Sequence, residues 1–167
     1  MFDNHKYFMA KPKHLARVAA NLTECVNWIL ITGGEPTLYP LDPLVDELHN
    51  RHCMVALETN GTSMRYHTAN IDWLTVSPKL SVEGPPVLLE VVATADELIF
   101  VITCEQDIQR VIDYLNTFTD MFILGQVCLQ PADNNSELTV LCTDAVIRCN
   151  WRLSIQTMQL LKERSSE

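Results

Sequence analysis

The chain is predicted to be an α/β protein, a layer or incomplete barrel of mostly parallel strands, and three observations predict it. Short continuous apolar runs alternate with segments of helical apolar spacing from residue 11 to residue 163. The runs stop at Gly, Asn or Pro punctuation. Strict alternation of strand and helix enforces parallel pairing with right-handed crossovers and argues against a sandwich.

Lys11 to Val26 places Leu15, Val18, Ala19, Leu22 and Val26 at helical spacing, and Trp28 to Ile31 follows as a strand expected to be buried on both faces. Gly33-Gly34-Glu35-Pro36 breaks the pattern before a helix over Leu41 to Arg51 and a second buried strand over Cys53 to Leu57. Asn60-Gly61 marks a turn, and Trp73 to Val76 is a third strand that ends at Ser77-Pro78, where proline removes the next ladder donor. After a loop containing Gly84-Pro85-Pro86 come a helix over Val87 to Ala93 and a fourth strand over Leu98 to Ile102. An amphipathic helix over Glu105 to Phe118 and a fifth strand over Phe122 to Leu129, closed by Gln130-Pro131, continue the order. Ser136 to Cys149 is a helix with Asn134, Asn135 or Ser136 available as N-cap. A strand over Trp151 to Ile155 and a helix over Thr157 to Glu163 complete it, with a frayed polar tail over 160–167. No linker or repeat interrupts the 167 residues, so one domain is expected.

Twelve Lys and Arg against 21 Asp and Glu give a net charge of −9 with no basic cluster, which disfavours a surface for nucleic acid. No apolar run approaches the roughly 20 residues that span a bilayer, and Met1 to Lys6 has no secretory plan, so no membrane association and a cytoplasmic location are expected. The six cysteines are scattered in or beside apolar segments, as small reduced core residues would be. No two of them form C-x-x-C, so no metal site made of sequence-local cysteines is expected. His5, His14, His49, His52 and His67 lie away from the strand ends and read as surface residues, so no catalytic histidine is expected.

In parallel α/β folds ligands gather at the carboxyl ends of the strands. Four strands here end in polar clusters: Thr32 to Pro36, Glu58 to Thr62, Ser77-Pro78-Lys79, and Gln130 to Asp133. A turn needs Gly, Asn or Pro but has no use for an ionisable Glu or Lys, so the clusters together outline one site. Gly33 and Gly34 let the backbone approach a zwitterionic amino-acid group, with Glu35 as acceptor for its ammonium. Glu58 at the rim offers a carboxylate to the donor edge of a purine-like base, and Lys79 with Ser77 offers a cation and a hydroxyl to a ribose or carboxylate.

Taken in order, Ile31-Thr32-Gly33-Gly34-Glu35-Pro36, Glu58 to Thr62, Trp73 to Leu80, Ala95-Asp96-Glu97-Leu98, Leu129-Gln130-Pro131 and Asn150 to Thr157 resemble the succession found in 7-carboxy-7-deazaguanine synthases, which are radical S-adenosylmethionine enzymes. Gly-Gly-Glu-Pro is generic to that superfamily, whereas Ser77-Pro78-Lys79 and the ending Asn150-Trp151-Arg152-Leu153-Ser154-Ile155-Gln156-Thr157 are more specific to this family. The resemblance implies an incomplete (β/α) barrel that binds a [4Fe-4S] cluster, S-adenosylmethionine and Mg²⁺. It further implies a carbon–nitrogen lyase reaction that turns 6-carboxy-5,6,7,8-tetrahydropterin into 7-carboxy-7-deazaguanine with loss of ammonia, on the route to queuosine.

Carried over by position, the resemblance puts Gly33, Gly34, Glu35, Ser77, Pro78, Lys79, Gln130, Pro131, Ala132 and Asp133 on S-adenosylmethionine and Thr32 on the pterin. Glu58 joins Thr32 as a substrate contact by the edge-acceptor argument. The family's first strand, with its Cys-x3-Cys-x2-Cys loop and the Asp-Thr that ligates Mg²⁺, has no counterpart in Met1 to Lys13. The family's Gln-Thr-His-Lys is Gln156-Thr157-Met158-Gln159 here, and its lysine after Glu97-Leu98 is Ile99. The chain alone is therefore expected not to run the reaction, as a truncated product would not. The alternatives are a cluster-less module for S-adenosylmethionine or pterin, and half of a split enzyme whose unpaired strand edge takes a completing polypeptide or a second copy.

Overall fold

Six parallel strands lie side by side in the order in which they occur in the sequence. The computed structural model describes residues 10–22, 27–63, 70–80, 86–118 and 126–157. The elements are α1 (Pro12–Asn21), β1 (Trp28–Ile31), α2 (Asp42–His49), β2 (Met54–Thr59), β3 (Trp73–Val76), α3 (Leu89–Ala93), β4 (Glu97–Ile102), α4 (Gln106–Asn116), β5 (Val127–Pro131), α5 (Ser136–Cys149) and β6 (Arg152–Leu153). A sheet wound in one direction, with a helix between most strands, is the parallel α/β order expected from the alternation and the incomplete (β/α) barrel that the resemblance implies.

The strand boundaries move by a few residues. β2 runs to Thr59 and β5 to Pro131, while β6 is only two residues long. Ser154 nonetheless extends the β6 edge, its N–H donating to the Leu129 carbonyl at 2.8 Å. Residues 122–125 of the fifth strand, Cys25, His5, His67, Gly84-Pro85, and Met158 onward lie outside the described residues. Asn135 is the N-cap of α5, accepting from Glu137 N and Leu138 N at 3.0 Å each, and Asn150 ends that helix in the left-handed region at φ 56°.

Burial on both strand faces is corrected by the structure for β1 and β2. Their exposure alternates, and Trp28 and Leu30 remain 45% and 56% exposed. The cause is architectural: helices pack against one face, so Val55, Leu57, Leu98, Phe100, Ile102, Val127 and Leu129 form the core with Val45 and Leu48 of α2, Val111 of α4 and Ala145 of α5. The strand register then puts Ala56, Glu58, Trp73, Thr75, Glu97, Ile99, Cys128, Gln130 and Arg152 together on the other face.

The amino ends of the strands are tied by a repeated device. Asp72 and Asp96, each just before a strand, accept the Val55 and Leu74 N–H groups at 2.7 Å and donate their own N–H back to the same residues. Asp72 also holds His49 Nε2 at 2.8 Å, so His49 is a half-buried packing residue and not the surface residue expected. Among the described residues no helix is long and apolar enough to cross a membrane. Cys53 and Cys142 are buried in the core as expected, Cys128 is buried on the opposite face against Glu97, and Cys104 and Cys149 are only partly buried.

Candidate site at the carboxyl ends of the strands

The loop after β1 owes its shape to two glycines and a carboxylate. Gly33 sits at φ +134°, which side-chain-bearing residues rarely adopt, and a Cβ placed on Gly33 or Gly34 would meet no protein atom within 4 Å. The Gly-Gly backbone is therefore bare and faces open space. Glu35 then anchors the loop to its neighbour: Oε1 accepts from Thr37 N (3.0 Å), Thr37 Oγ1 (2.6 Å) and Thr59 Oγ1 (2.6 Å), and Oε2 accepts from Asn60 N (2.8 Å). Burial raises the Glu35 pKa, but these four bonds outweigh it and hold the carboxyl below its usual value. Three of the four bonds fall on one oxygen, so Glu35 is first of all a loop clamp, with Oε2 the oxygen less occupied.

The second and third strand ends follow from this clamp. Thr59 Oγ1 accepts from Gly61 N at 3.1 Å, Asn60 Oδ1 closes a turn by accepting from Thr62 N at 2.8 Å, and Ser77 N donates to the Thr59 carbonyl at 2.8 Å. Ser77 and Pro78 are buried, whereas Lys79 is exposed and turns its Nζ back onto Ser77 Oγ at 2.8 Å. Beyond Lys79 a cavity of about 240 Å³ opens between Pro78, Leu80, Val101, Thr103 and α4.

That cavity is bounded by Asp107, which the sequence analysis did not single out. Its Oδ2 accepts from Thr103 N (2.8 Å), Thr103 Oγ1 (2.7 Å) and Cys104 N (3.2 Å), and its Oδ1 from Arg110 (2.6 Å). Although burial raises the pKa, the Thr103, Arg110 and Cys104 bonds bring it from the ordinary 3.8 down to about 2. A depressed pKa means stability that is present above about 4 and lost as pH falls toward 2. Asp107→Asn is thus expected to cost about 2 kcal/mol at neutral pH. In acid melts the gap to the parent should close as pH drops through that window; a gap that stays constant would remove the carboxylate as its cause. The signal in sequence was a threonine directly after an apolar strand and four residues before an aspartate in the first helical turn.

At the end of β5, Asp133 and Asn134 both adopt left-handed backbone, at φ 51° and 49°. Asn134 exchanges two bonds with Gln156, its Nδ2 donating to the Gln156 carbonyl (2.8 Å) and its Oδ1 accepting from Gln156 N (3.0 Å). This pair and the Ser154 Oγ to Gln130 Oε1 bond of 3.2 Å join the β5 and β6 ends. Two consecutive strained residues persist only where their surroundings hold them, a pattern common at ligand-binding loops. Gln130, Pro131, Ala132 and Asp133 thus lie on the same end of the sheet as Thr32 to Glu35 and Ser77 to Lys79.

Glu58 pairs with Thr75 on the face the helices leave open, and Thr32, exposed, follows Ile31 at the carboxyl end of the neighbouring strand β1. Among the described residues no three His, Cys, Asp or Glu side chains converge as a metal site. Burial and the neighbouring Glu97 push the Cys128 thiol up to about 12, and burial pushes Cys142 up to about 11, so neither is a thiolate at neutral pH.

No protein-family model matches the chain. The 7-carboxy-7-deazaguanine synthase of Escherichia coli (strain K12) is 34% identical over 160 residues, which are 95% of this chain and 71% of that protein. The 7-carboxy-7-deazaguanine synthase of Burkholderia multivorans is 38% identical over 142 residues, covering 83% of this chain and 60% of that one. A crystal structure of QueE from Escherichia coli superposes with a TM-score of 0.74 at 34% identity, over 88% of this chain and 64% of that chain. The chain therefore spans about two thirds of the length of these relatives.

Proposed function

The chain belongs to the 7-carboxy-7-deazaguanine synthase family, and from that premise we propose that it forms the S-adenosylmethionine- and pterin-binding part of such an enzyme. The reaction served is the conversion of 6-carboxy-5,6,7,8-tetrahydropterin to 7-carboxy-7-deazaguanine with loss of ammonia. The observation that carries this reading is the gathering of three polar segments, at 32–35, 77–79 and 130–133, on one end of one parallel sheet.

The described residues fit S-adenosylmethionine. The bare Gly33-Gly34 backbone offers amide and carbonyl groups to the methionyl ammonium and carboxylate, in space that a side chain would otherwise fill. Ser77, Lys79 and the Gln130 to Asp133 turn border the same end and would hold the remainder of the molecule. When bound, S-adenosylmethionine supplies the group that takes hydrogen from the substrate. Thr32 and Glu58 would contact the substrate, Glu58 accepting from the amino-pyrimidine edge of the pterin from its place on the open face of the sheet.

The described residues do not supply the ligand set of a [4Fe-4S] cluster. Among these residues no three His, Cys, Asp or Glu side chains converge, whereas such a cluster needs three thiolates held together. The 167-residue chain by itself is accordingly expected to bind without turning over.

Equilibrium dialysis of the chain against labelled S-adenosylmethionine tests the reading. Binding is expected, and Gly34→Val should weaken it by about ten-fold or more while leaving the melting temperature close to the parent's, because the added side chain enters open space. Failure of the parent to bind, or unchanged binding by Gly34→Val, would sink it.

A further inference from the structure

On the face that the helices leave open, the sheet carries a row of polar side chains that the assignments above do not use. Thr75 and Glu97 are paired across β3 and β4, and Cys128 and Arg152 across β5 and β6. Cys128 Sγ donates to Glu97 Oε1 at 2.9 Å, and Thr75 Oγ1 lies 3.4 Å from Glu97 Oε2. Glu97 therefore takes its bonds from two neutral donors.

Arg152 stands beside Cys128 in the ladder between β5 and β6, and so lies on this same face. Yet its side chain is exposed, and among the described residues it makes no hydrogen bond and has no carboxylate within ion-pair distance. In a chain of net charge −9, an exposed arginine without an acidic partner among the described residues is available to an anion brought by a ligand. Glu58 stands on the same face four strands away. A planar ligand spanning the wall would meet an acceptor at one end and a fork of donors at the other.

Resting on the pterin reading above, we propose that Arg152 binds the carboxylate of the substrate, opposite the amino-pyrimidine edge held by Glu58, and so fixes which way round the ring lies. A pterin with a carboxylate on its second ring has the donor edge and the anion at opposite ends, as this wall requires. Arg152 acts here as a specificity residue that discriminates carboxylated from uncarboxylated pterins.

The test is titration of the full chain with 6-carboxypterin and with unsubstituted pterin, followed by tryptophan fluorescence. The parent should favour 6-carboxypterin by about ten-fold or more, as a bidentate charged pair would give. Arg152→Gln should abolish that preference while leaving the affinity for unsubstituted pterin in place; Arg152→Lys should keep part of it. Glu58→Gln should weaken both ligands alike. Equal binding of the two ligands by the parent, a preference retained in Arg152→Gln, or equal loss of both ligands in Arg152→Gln and Arg152→Lys would each overturn the assignment and leave the pterin reading standing. If the parent binds neither ligand, the pterin reading itself falls, and the role of Arg152 with it.

Discussion

Gly61→Ala is expected to lower the melting temperature by about 10 °C, and Gly61→Val to leave little folded protein. Two costs add at this position. The backbone sits at φ +75°, where any side chain is disfavoured by roughly 1–2 kcal/mol. An added Cβ would also stand 2.7 Å from Val87 Cγ1 and 2.8 Å from Val76 Cγ1, closer than carbon atoms approach. Val76 is fully buried and its strand is hydrogen-bonded on both sides, so the overlap is relieved only by shifting core elements, at about 1–3 kcal/mol. Together these approach the whole stability of many domains. Calorimetric melts would decide it, with Gly34→Ala as control because its Cβ meets nothing. A Gly61→Ala melt within about 2 °C of the parent would show that the turn relaxes without cost.

The second large effect is expected at Glu35, and there stability and binding should change together. Glu35→Ala strands the Thr37 and Thr59 hydroxyls and the Thr37 and Asn60 N–H groups, of which Thr37 and Thr59 are almost fully buried. Unsatisfied donors at about 1–3 kcal/mol each, softened by water at the exposed side of the loop, make a loss of about 3 kcal/mol reasonable. Because the same bonds tie the Gly33-Gly34 loop to β2, the loop loses its anchor, and binding of S-adenosylmethionine should fall by about ten-fold or more even far below the melting temperature. Glu35→Gln should lie between: one amide oxygen can keep the three Oε1 donors, but its NH₂ would meet the Asn60 N–H. The carboxyl is held below its ordinary 4.5, so its contribution is complete above that value and fades as pH falls through the lower folded one. Unchanged binding in Glu35→Ala would mean that the clamp serves folding alone.

The order of the elements was legible in the sequence because a parallel sheet writes itself as apolar runs separated by helical periods. Trp73 to Val76 and Ser136 to Cys149 fall where their patterns put them. The four polar strand ends were legible for a similar reason: Gly, Asn and Pro punctuate turns, and an ionisable neighbour stands out against them. Periodicity does not report how many faces of a sheet are covered, however, since a continuous apolar run is compatible with helices on one side or both. Only the packed structure decided that one face stays open, and with it that Glu58, Thr75, Glu97, Cys128 and Arg152 share a wall.

The fate of individual charges was likewise a tertiary matter. Glu35 reads in sequence as a free acceptor, yet Thr59 and Asn60, 24 and 25 residues away, occupy it. Asn134 reads in sequence as a helix cap and Asp107 carries no distinguishing mark, yet both are loop clamps, through bonds to Gln156 and to Thr103. What the sequence determined by itself was the alternation that builds a parallel barrel wall and the end of it where the polar strand ends gather, because both follow from local spacing and turn chemistry. Which side chains meet there, and which are already satisfied before a ligand arrives, depends on register between strands far apart in the chain, and that is fixed only when the sheet has closed against its helices.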